Sequence, residues 1–143
     1  MGFGPEEENL RQQAARLGAA GRVKFTGGIY EEEKLGQYLH ESAVYVLAGM
    51  GGLSINDAMC FGKPVICSEA DGTEKRLVRE DFNGKYFRGG NAEDLAEKIG
   101  FLLSDPARLR LFGENSLKII REELNIHTVL GEYRKAFRYS VSS

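Results

Sequence analysis

The apolar and polar positions of this chain follow two alternating periods, which predicts short strands interleaved with helices. Residues 44–47 and Val65–Ser68 are short apolar runs of the kind that form buried strands in a parallel sheet. Between them, residues 53–61 have the spacing of a helix. Further strands are predicted at residues 23–26 and 85–87. Because strands and helices alternate, we expect a parallel sheet that helices cover on both faces.

Further helices are predicted before and after this core. Each is marked by apolar residues at helical spacing or by capping residues: Leu10, Ala14 and Leu17 in the first, residues 31–41 in the second, Asp71 and Glu74 in a short one, and Asn91, Asp105 and Val129 in the last three. The predicted fold class is therefore α/β, an open, doubly wound parallel sheet of roughly four strands or slightly more, with a helical C-terminal third.

The composition of the chain suits one compact domain. Of its 143 residues, 42% are hydrophobic, and no stretch is repetitive or has the composition of a linker. A formal net charge of −2 argues against a broad nucleic-acid surface. No apolar run approaches the length that a membrane-spanning helix needs. We therefore predict one domain over residues 1–143, with no nucleic-acid partner and no transmembrane segment.

A glycine pair precedes the helix predicted at residues 53–61. In an open α/β sheet such a turn lies at the carboxyl end of a strand, where these sheets bind ligands. Glycine lets the backbone approach a ligand closely, and the free amides of a first helical turn favour an anion. The candidate amides are those of Gly51, Gly52, Leu53 and Ser54. Asp57 adds a carboxylate one turn into the helix.

These motifs, taken in order, resemble the C-terminal half of the retaining glycosyltransferases of group 1 (family 4), which have the GT-B fold. Residues 52–66, with Gly62-Lys63-Pro64 near their end, are similar to the donor-site helix and following strand of that family. Residues 23–27 resemble its V-x-F-x-G strand, and residues 83–87 resemble its N-G hairpin. Residues 2–5 look like its glycine-proline turn. The likeness covers essentially the whole chain.

The resemblance implies that the chain binds a nucleotide-diphosphate sugar, whose sugar is transferred to an acceptor with retention. Asp57 aligns with the second of two family glutamates, the one that binds the nucleotide ribose. The Asp57 side chain is one methylene shorter than that glutamate. Gly49 falls on the first glutamate, which handles the donor sugar, so no carboxylate is available there. Three residues after the predicted strand at 23–26 are candidates for backbone contacts to the base: Gly27, Gly28 and Ile29.

The resemblance also places other parts of the enzyme upstream of Met1: the first strand, the phosphate-binding arginine and lysine, and the acceptor-binding domain. The chain is therefore expected to be a fragment, the donor-binding domain alone, and to be inactive by itself. The resemblance implies no cofactor, because a helix N-terminus stabilises a departing diphosphate without a metal. The full-length protein is expected in the cytoplasm, either free or peripheral to the membrane.

Three other classes compete with this interpretation. A nucleotide-sugar epimerase of GT-B architecture stays open, because its additional acid and base groups would lie outside this half. A flavodoxin-like binding or signalling module of the receiver type needs an acceptor aspartate at a strand end, but the predicted strands end in Thr26-Gly27, Leu47-Ala48 and Ser68-Glu69. A dinucleotide-dependent dehydrogenase needs a Gly-x-Gly-x-x-Gly turn between a strand and a helix, which the chain lacks.

The two cysteines and the two histidines are interpreted as structural or exposed residues and not as catalytic or metal-binding ones. Cys60 and Cys67 have no metal-ligand spacing and are predicted to be reduced core thiols. His40 and His127 have no partner at the spacing of a metal site or a catalytic triad, so we expect them to be structural or exposed. No metal site is predicted.

Overall fold

The computed structural model of this protein describes residues 4–49, 53–68 and 74–141. In chain order the elements are α1 (Glu7–Arg16), a 3-10 turn (Ala20–Arg22), α2 (Glu32–Glu41), β1 (Tyr45–Leu47), α3 (Leu53–Cys60), β2 (Val65–Ser68), α4 (Glu74–Leu77), β3 (Gly84–Phe87), α5 (Ala92–Leu103), α6 (Pro106–Glu122) and α7 (Ile126–Val141). The chain divides into two compact units, Met1–Tyr38 and Leu39–Ser143. The prediction of one domain over the whole chain stays a prediction.

The second unit contains a parallel sheet of three strands in the order β1-β2-β3. Val65 of β2 pairs with Tyr45 of β1 on one side and with Gly84 of β3 on the other. The predicted parallel α/β architecture is confirmed, with one strand fewer than expected among the described residues. The predicted strand at residues 23–26 is wrong. Its first residue has extended backbone angles, φ −110° and ψ 120°, but the segment joins no hydrogen-bonded ladder within the described ranges.

Helices cover this sheet on both faces. Successive side chains of β2 point to opposite faces, so Val65 and Cys67 lie on one side and Ile66 on the other. The first face packs against α3, α4 with the residue after it, and the end of α6, through Ile55, Met59, Leu77, Val78 and Ile119. The second packs against α5 and the start of α6 through Leu102 and Phe112, together with Phe87 of β3. Helix α6 therefore contributes to both hydrophobic clusters.

Two predicted helices of the C-terminal third, α5 and α6, each begin after a residue whose side chain caps the helix. The Asn91 side chain accepts a hydrogen bond of 2.9 Å from the Asp94 amide, which fixes the start of α5. The Asp105 side chain accepts one of 2.9 Å from the Ala107 amide, and proline follows at the first helical position of α6. The helical C-terminal third is confirmed. The capping role predicted for Asp71 falls outside the described residues.

Helix α3 ends in a Schellman motif at Gly62, as the glycine in this position predicts. The Gly62 amide donates to the Met59 carbonyl at 3.0 Å, and the Lys63 amide donates to the Ala58 carbonyl at 3.1 Å. Gly62 has a φ of +64°, which glycine adopts without strain. Pro64, two residues after Gly62, accepts a hydrogen bond from the Tyr45 amide through its carbonyl, so the turn leads directly into the sheet.

Two fully buried polar residues, Asn83 and Ser116, hold this turn against the rest of the fold. The Ser116 hydroxyl donates to the Lys63 carbonyl at 2.9 Å. The Asn83 amide group donates to the Leu77 carbonyl at 3.0 Å and to the Ser116 hydroxyl at 3.4 Å, while its oxygen accepts from the Arg79 amide at 2.7 Å. Buried polar groups are stabilising when they are paired in this way. The α3–β2 turn, the α4–β3 connection and α6 are thereby joined.

The fit of α6 against the turn predicts opposite effects for one substitution at two helical glycines. A Cβ atom at Gly113 would lie 2.2 Å from the Gly62 carbonyl oxygen, whereas one at Gly100 in α5 would meet nothing within 4 Å. We expect Gly113→Ala to lower the free energy of unfolding by about 1–3 kcal/mol through overpacking. Gly100→Ala should raise it by up to about 1 kcal/mol, because alanine favours a helix.

Chemical denaturation of both variants and the wild type measures the two effects. Equal stability of Gly113→Ala and the wild type would show that α6 does not depend on this close approach.

Candidate functional site

The start of α3 carries the predicted anion site, and the structure describes it from Leu53 onward. Leu53 is 83% exposed and Asp57 is also exposed, whereas Ile55 is fully buried. Residues four apart lie on one face of a helix, so Leu53 and Asp57 share the solvent side. Ser54 is half-buried beside them. The structure thus brings these three predicted residues together in the first turns of the helix.

The first amides of a helix have no partner within the helix and carry its positive dipole end. In α3 these amides include those of Leu53 and Ser54. The arrangement therefore offers an anion two backbone donors beside an exposed carboxylate. The predicted donors at Gly51 and Gly52 fall outside the described residues, so they stay predictions.

The negative charge of Asp57 acts along the solvent side of α3. Partial desolvation by its neighbours raises the pKa of the Cys60 thiol, and the Asp57 carboxylate one turn before it raises that pKa further. Cys60 is exposed, so the prediction that it is a core thiol is wrong. The buried side of α3 is formed by Ile55, Ala58 and Met59, and the position after Met59 turns away from the sheet. Cys67 in β2 is buried as predicted.

The second predicted group, Gly27, Gly28 and Ile29, lies in the first unit between the 3-10 turn and α2. Gly27 has a φ of +64°, and an added Cβ atom would meet nothing within 4 Å. Glycine is therefore favoured here by the backbone conformation and not by crowding. Gly28 is exposed and Ile29 is half-buried. The Thr26 hydroxyl donates to the Gly27 carbonyl at 3.2 Å.

A buried acid near the end of β2 was missed as a functional candidate by sequence reasoning, which treated it only as a capping residue. Glu74, the first residue of α4, is 2% exposed. Burial raises the pKa of Cys67 and the pKa of Tyr86 to about 12 each, and the charges of Glu74 and Glu80 contribute to both shifts. The Tyr86 hydroxyl donates to the Val78 carbonyl at 2.6 Å. No spacing in the sequence marks this burial, because it arises from the packing of α4 on the sheet.

Within the described ranges, no three His, Cys, Asp or Glu side chains are grouped so that they could hold a metal ion.

The backbone carbonyl of His40 accepts a hydrogen bond of 2.9 Å from the Lys63 ammonium group, and this bond links the end of α2 to the α3–β2 turn. None of the helices described here is long and apolar enough to cross a membrane.

Comparison with known proteins decides the family. Residues 1–119 match the sequence profile described as glycosyl transferases group 1. The chain belongs to this family. It has the fold of one half of a GT-B enzyme, and the predicted family and fold are both confirmed.

Three relatives illustrate the similarity. An uncharacterized glycosyltransferase of Methanocaldococcus jannaschii is 28% identical over 99% of this chain and 36% of its own length. Sucrose-phosphate synthase of Thermosynechococcus elongatus has a TM-score of 0.82 at 27% identity, covering 97% of this chain and 35% of that one. HepE of Anabaena in complex with UDP-glucose has a TM-score of 0.80 at 25% identity, covering 96% and 39%. The chain thus spans little more than a third of the length of these proteins.

The charge of Asp57 can be tested through Cys60. In a Cys67→Ala background, Asp57→Asn should lower the apparent pKa of Cys60 and speed its alkylation at mildly alkaline pH, because a negative charge near the thiolate is removed. The rate of iodoacetamide alkylation as a function of pH reports this pKa. Glu114→Gln removes an exposed acid of α6 and is the matched control. An unchanged pH profile in Asp57→Asn would place its carboxylate away from Cys60.

Proposed function

We propose that this chain is the donor-binding domain of a retaining glycosyltransferase, which transfers a hexosyl group from a nucleotide-diphosphate sugar to an acceptor. The observation that carries the proposal is the exposed start of α3, where Leu53, Ser54 and Asp57 lie in the first two turns of the helix. The chain that carries this helix belongs to the group 1 family. A helix N-terminus favours the diphosphate anion, and a carboxylate accepts hydrogen bonds from ribose hydroxyl groups.

The diphosphate binds at the amides of the first turn of α3. As the bond to the sugar breaks, negative charge develops on the departing diphosphate, and preorganised amides stabilise that charge without a metal. One such donor typically lowers the barrier by about 2.7–4 kcal/mol. In this proposal Leu53 and Ser54 supply two of the amides, and Gly51 and Gly52 supply the others.

Asp57 binds the ribose of the nucleotide. Its carboxylate is exposed on the same side as Leu53 and accepts hydrogen bonds from the ribose hydroxyl groups. Hydrogen bonds to a charged acceptor contribute about 1.5–3 kcal/mol. The contact of Gly27, Gly28 and Ile29 with the base stays a separate prediction from the resemblance, because these residues lie in the first unit.

The family and one relative support a nucleotide sugar as the donor. HepE of Anabaena, whose structure is a complex with UDP-glucose, is 25% identical to this chain, and the match covers 96% of this chain. The relatives are almost three times as long, so the acceptor site and further phosphate ligands are proposed to lie in sequence outside these 143 residues. The chain alone is proposed to bind nucleotide without turnover. We also propose a cytoplasmic location, either free or peripheral to the membrane.

Titration with nucleoside diphosphates tests the location of the site. Addition of UDP or GDP to the isotopically labelled chain should shift the backbone amide signals of Leu53, Ser54 and Asp57. Shifts at Gly27 and Gly28 would separately support the contact to the base. Shifts confined to α5, α6 and α7 would contradict the proposal, because those helices carry none of its ligands.

Substitutions of Asp57 test its role at the ribose. Asp57→Ala should weaken UDP binding by roughly ten- to a hundredfold, since 1.4 kcal/mol corresponds to about one decade in affinity. Asp57→Glu should preserve or tighten binding, because it restores the longer arm of the family glutamate. Isothermal titration calorimetry gives the dissociation constants.

The control for this experiment is Glu114→Ala, which removes an exposed acid from α6 and should leave binding unchanged. The wild type should also bind 2′-deoxy-UDP more weakly than UDP, and Asp57→Ala should show a smaller difference between the two. If Asp57→Ala binds both nucleotides as the wild type does, Asp57 has no contact with the ribose.

A further inference from the structure

Strand β3 is an outer strand of the described sheet, so one of its edges faces away from β2. The backbone groups of alternate residues in a strand point to opposite edges. An outer edge normally presents unpaired N–H and C=O groups, and these groups are a template for pairing with another strand. We refer to residues 84–88, which form this edge and its continuation, as the β3 edge.

Groups of the same chain already occupy the β3 edge at three alternate residues. The Gly84 carbonyl accepts a hydrogen bond of 3.2 Å from the Asp81 amide. The Tyr86 amide donates to a carboxylate oxygen of Glu80 at 2.7 Å. The Arg88 amide donates to a carboxylate oxygen of Asp94 at 2.8 Å. Two N–H donors that an incoming strand would use are therefore bound to charged acceptors, and such bonds are stronger than those between neutral groups.

The Lys85 side chain holds the Glu80 carboxylate in place. The ammonium group of Lys85 lies 2.9 Å from Glu80 and 2.6 Å from Asp81, and the Lys85 side chain is only 12% exposed. This ammonium group lies 4.9 Å from the centre of the Phe101 ring of α5, and the Arg108 guanidinium lies 3.8 Å from the same ring. The charge that neutralises Glu80 is thus packed against the helix beside the edge.

Asp94 is fixed in the same way at the other end of the edge. Its side chain is 10% exposed and lies 3.4 Å from both Arg88 and Lys98. The hydrogen bond from the Arg88 amide is the main reason why the pKa of Asp94 lies below its ordinary value. Asp94 is in the first turn of α5, where a negative charge is favoured by the helix dipole.

We propose that Glu80 and Asp94 close the β3 edge against antiparallel pairing with the β3 edge of a second copy of this chain. A second copy is the partner that this closure excludes, because two identical edges related by a twofold axis would extend two sheets into one. Pairing would require both carboxylates to leave their backbone donors. It would also remove several charged side chains from water, which is costly unless each one finds a new partner.

The double variant Glu80→Ala, Asp94→Ala frees both amides and should associate into dimers as its concentration rises, whereas the wild type stays monomeric over the same range. Sedimentation velocity measures the association, and circular dichroism checks the fold. Hydrogen exchange of the Tyr86 and Arg88 amides should be fast in the dilute variant and slow when it is dimeric.

Two control variants separate the hydrogen bonds from net charge. Glu93→Ala, Glu97→Ala changes the net charge by the same amount while keeping both carboxylates of the edge, so it should stay monomeric. Glu80→Gln, Asp94→Asn keeps a side-chain carbonyl that can accept each amide, so it should associate less than the double alanine variant.

A folded double alanine variant that stays monomeric would overturn the proposal, as would a dimer in which the Tyr86 and Arg88 amides exchange freely. The wild type provides a test that does not depend on the variants folding. Its Tyr86 and Arg88 amides should be protected from exchange, and rates typical of unbonded amides would show that the edge is open.

Discussion

The fit of helix α6 against the turn between α3 and β2 is the constraint on which the rest of the second unit depends. Gly113 leaves space for the carbonyl of Gly62, and the Ser116 hydroxyl binds the carbonyl of Lys63. These contacts set the point at which β2 enters the sheet. Because β2 is paired on both sides and every β2 residue is buried, its position determines where β1, β3 and the covering helices can pack.

Most elements of the fold were predictable because the residues that begin and end each helix form hydrogen bonds with groups only a few positions away in sequence. Gly62 ends α3, and Asn91 and Asp105 cap α5 and α6, each through bonds that span only a few residues. The strand predicted at residues 23–26 failed for a physical reason. Alternation of apolar residues indicates which side chains are buried, but a strand also requires a paired backbone. The bond between Ser116 and Lys63 spans 53 residues, and no local pattern encodes it.

The candidate site was predictable to the same extent. The apolar positions Ile55, Ala58 and Met59 fix the rotation of α3, and that rotation places Asp57 on the solvent side. The same rotation exposes Cys60, which its apolar neighbours did not suggest. Only the resemblance to a family suggested a kind of ligand, because a glycine turn before a helix occurs in many α/β proteins. The burial of Glu74 depends on the packing of α4 against the sheet, which spacing alone does not determine.

Helix α6 shares its side chains between the two faces of the sheet, with Phe112 in one cluster and Ile119 in the other. Because neither cluster can lose its packing without drawing this helix away from the other, we expect the two faces to unfold as one cooperative unit. A molecule that binds only the folded form of α3 therefore stabilises α5 as well, although α5 lies on the opposite face of the sheet. Hydrogen exchange at α5 then becomes a remote indicator of occupancy at α3.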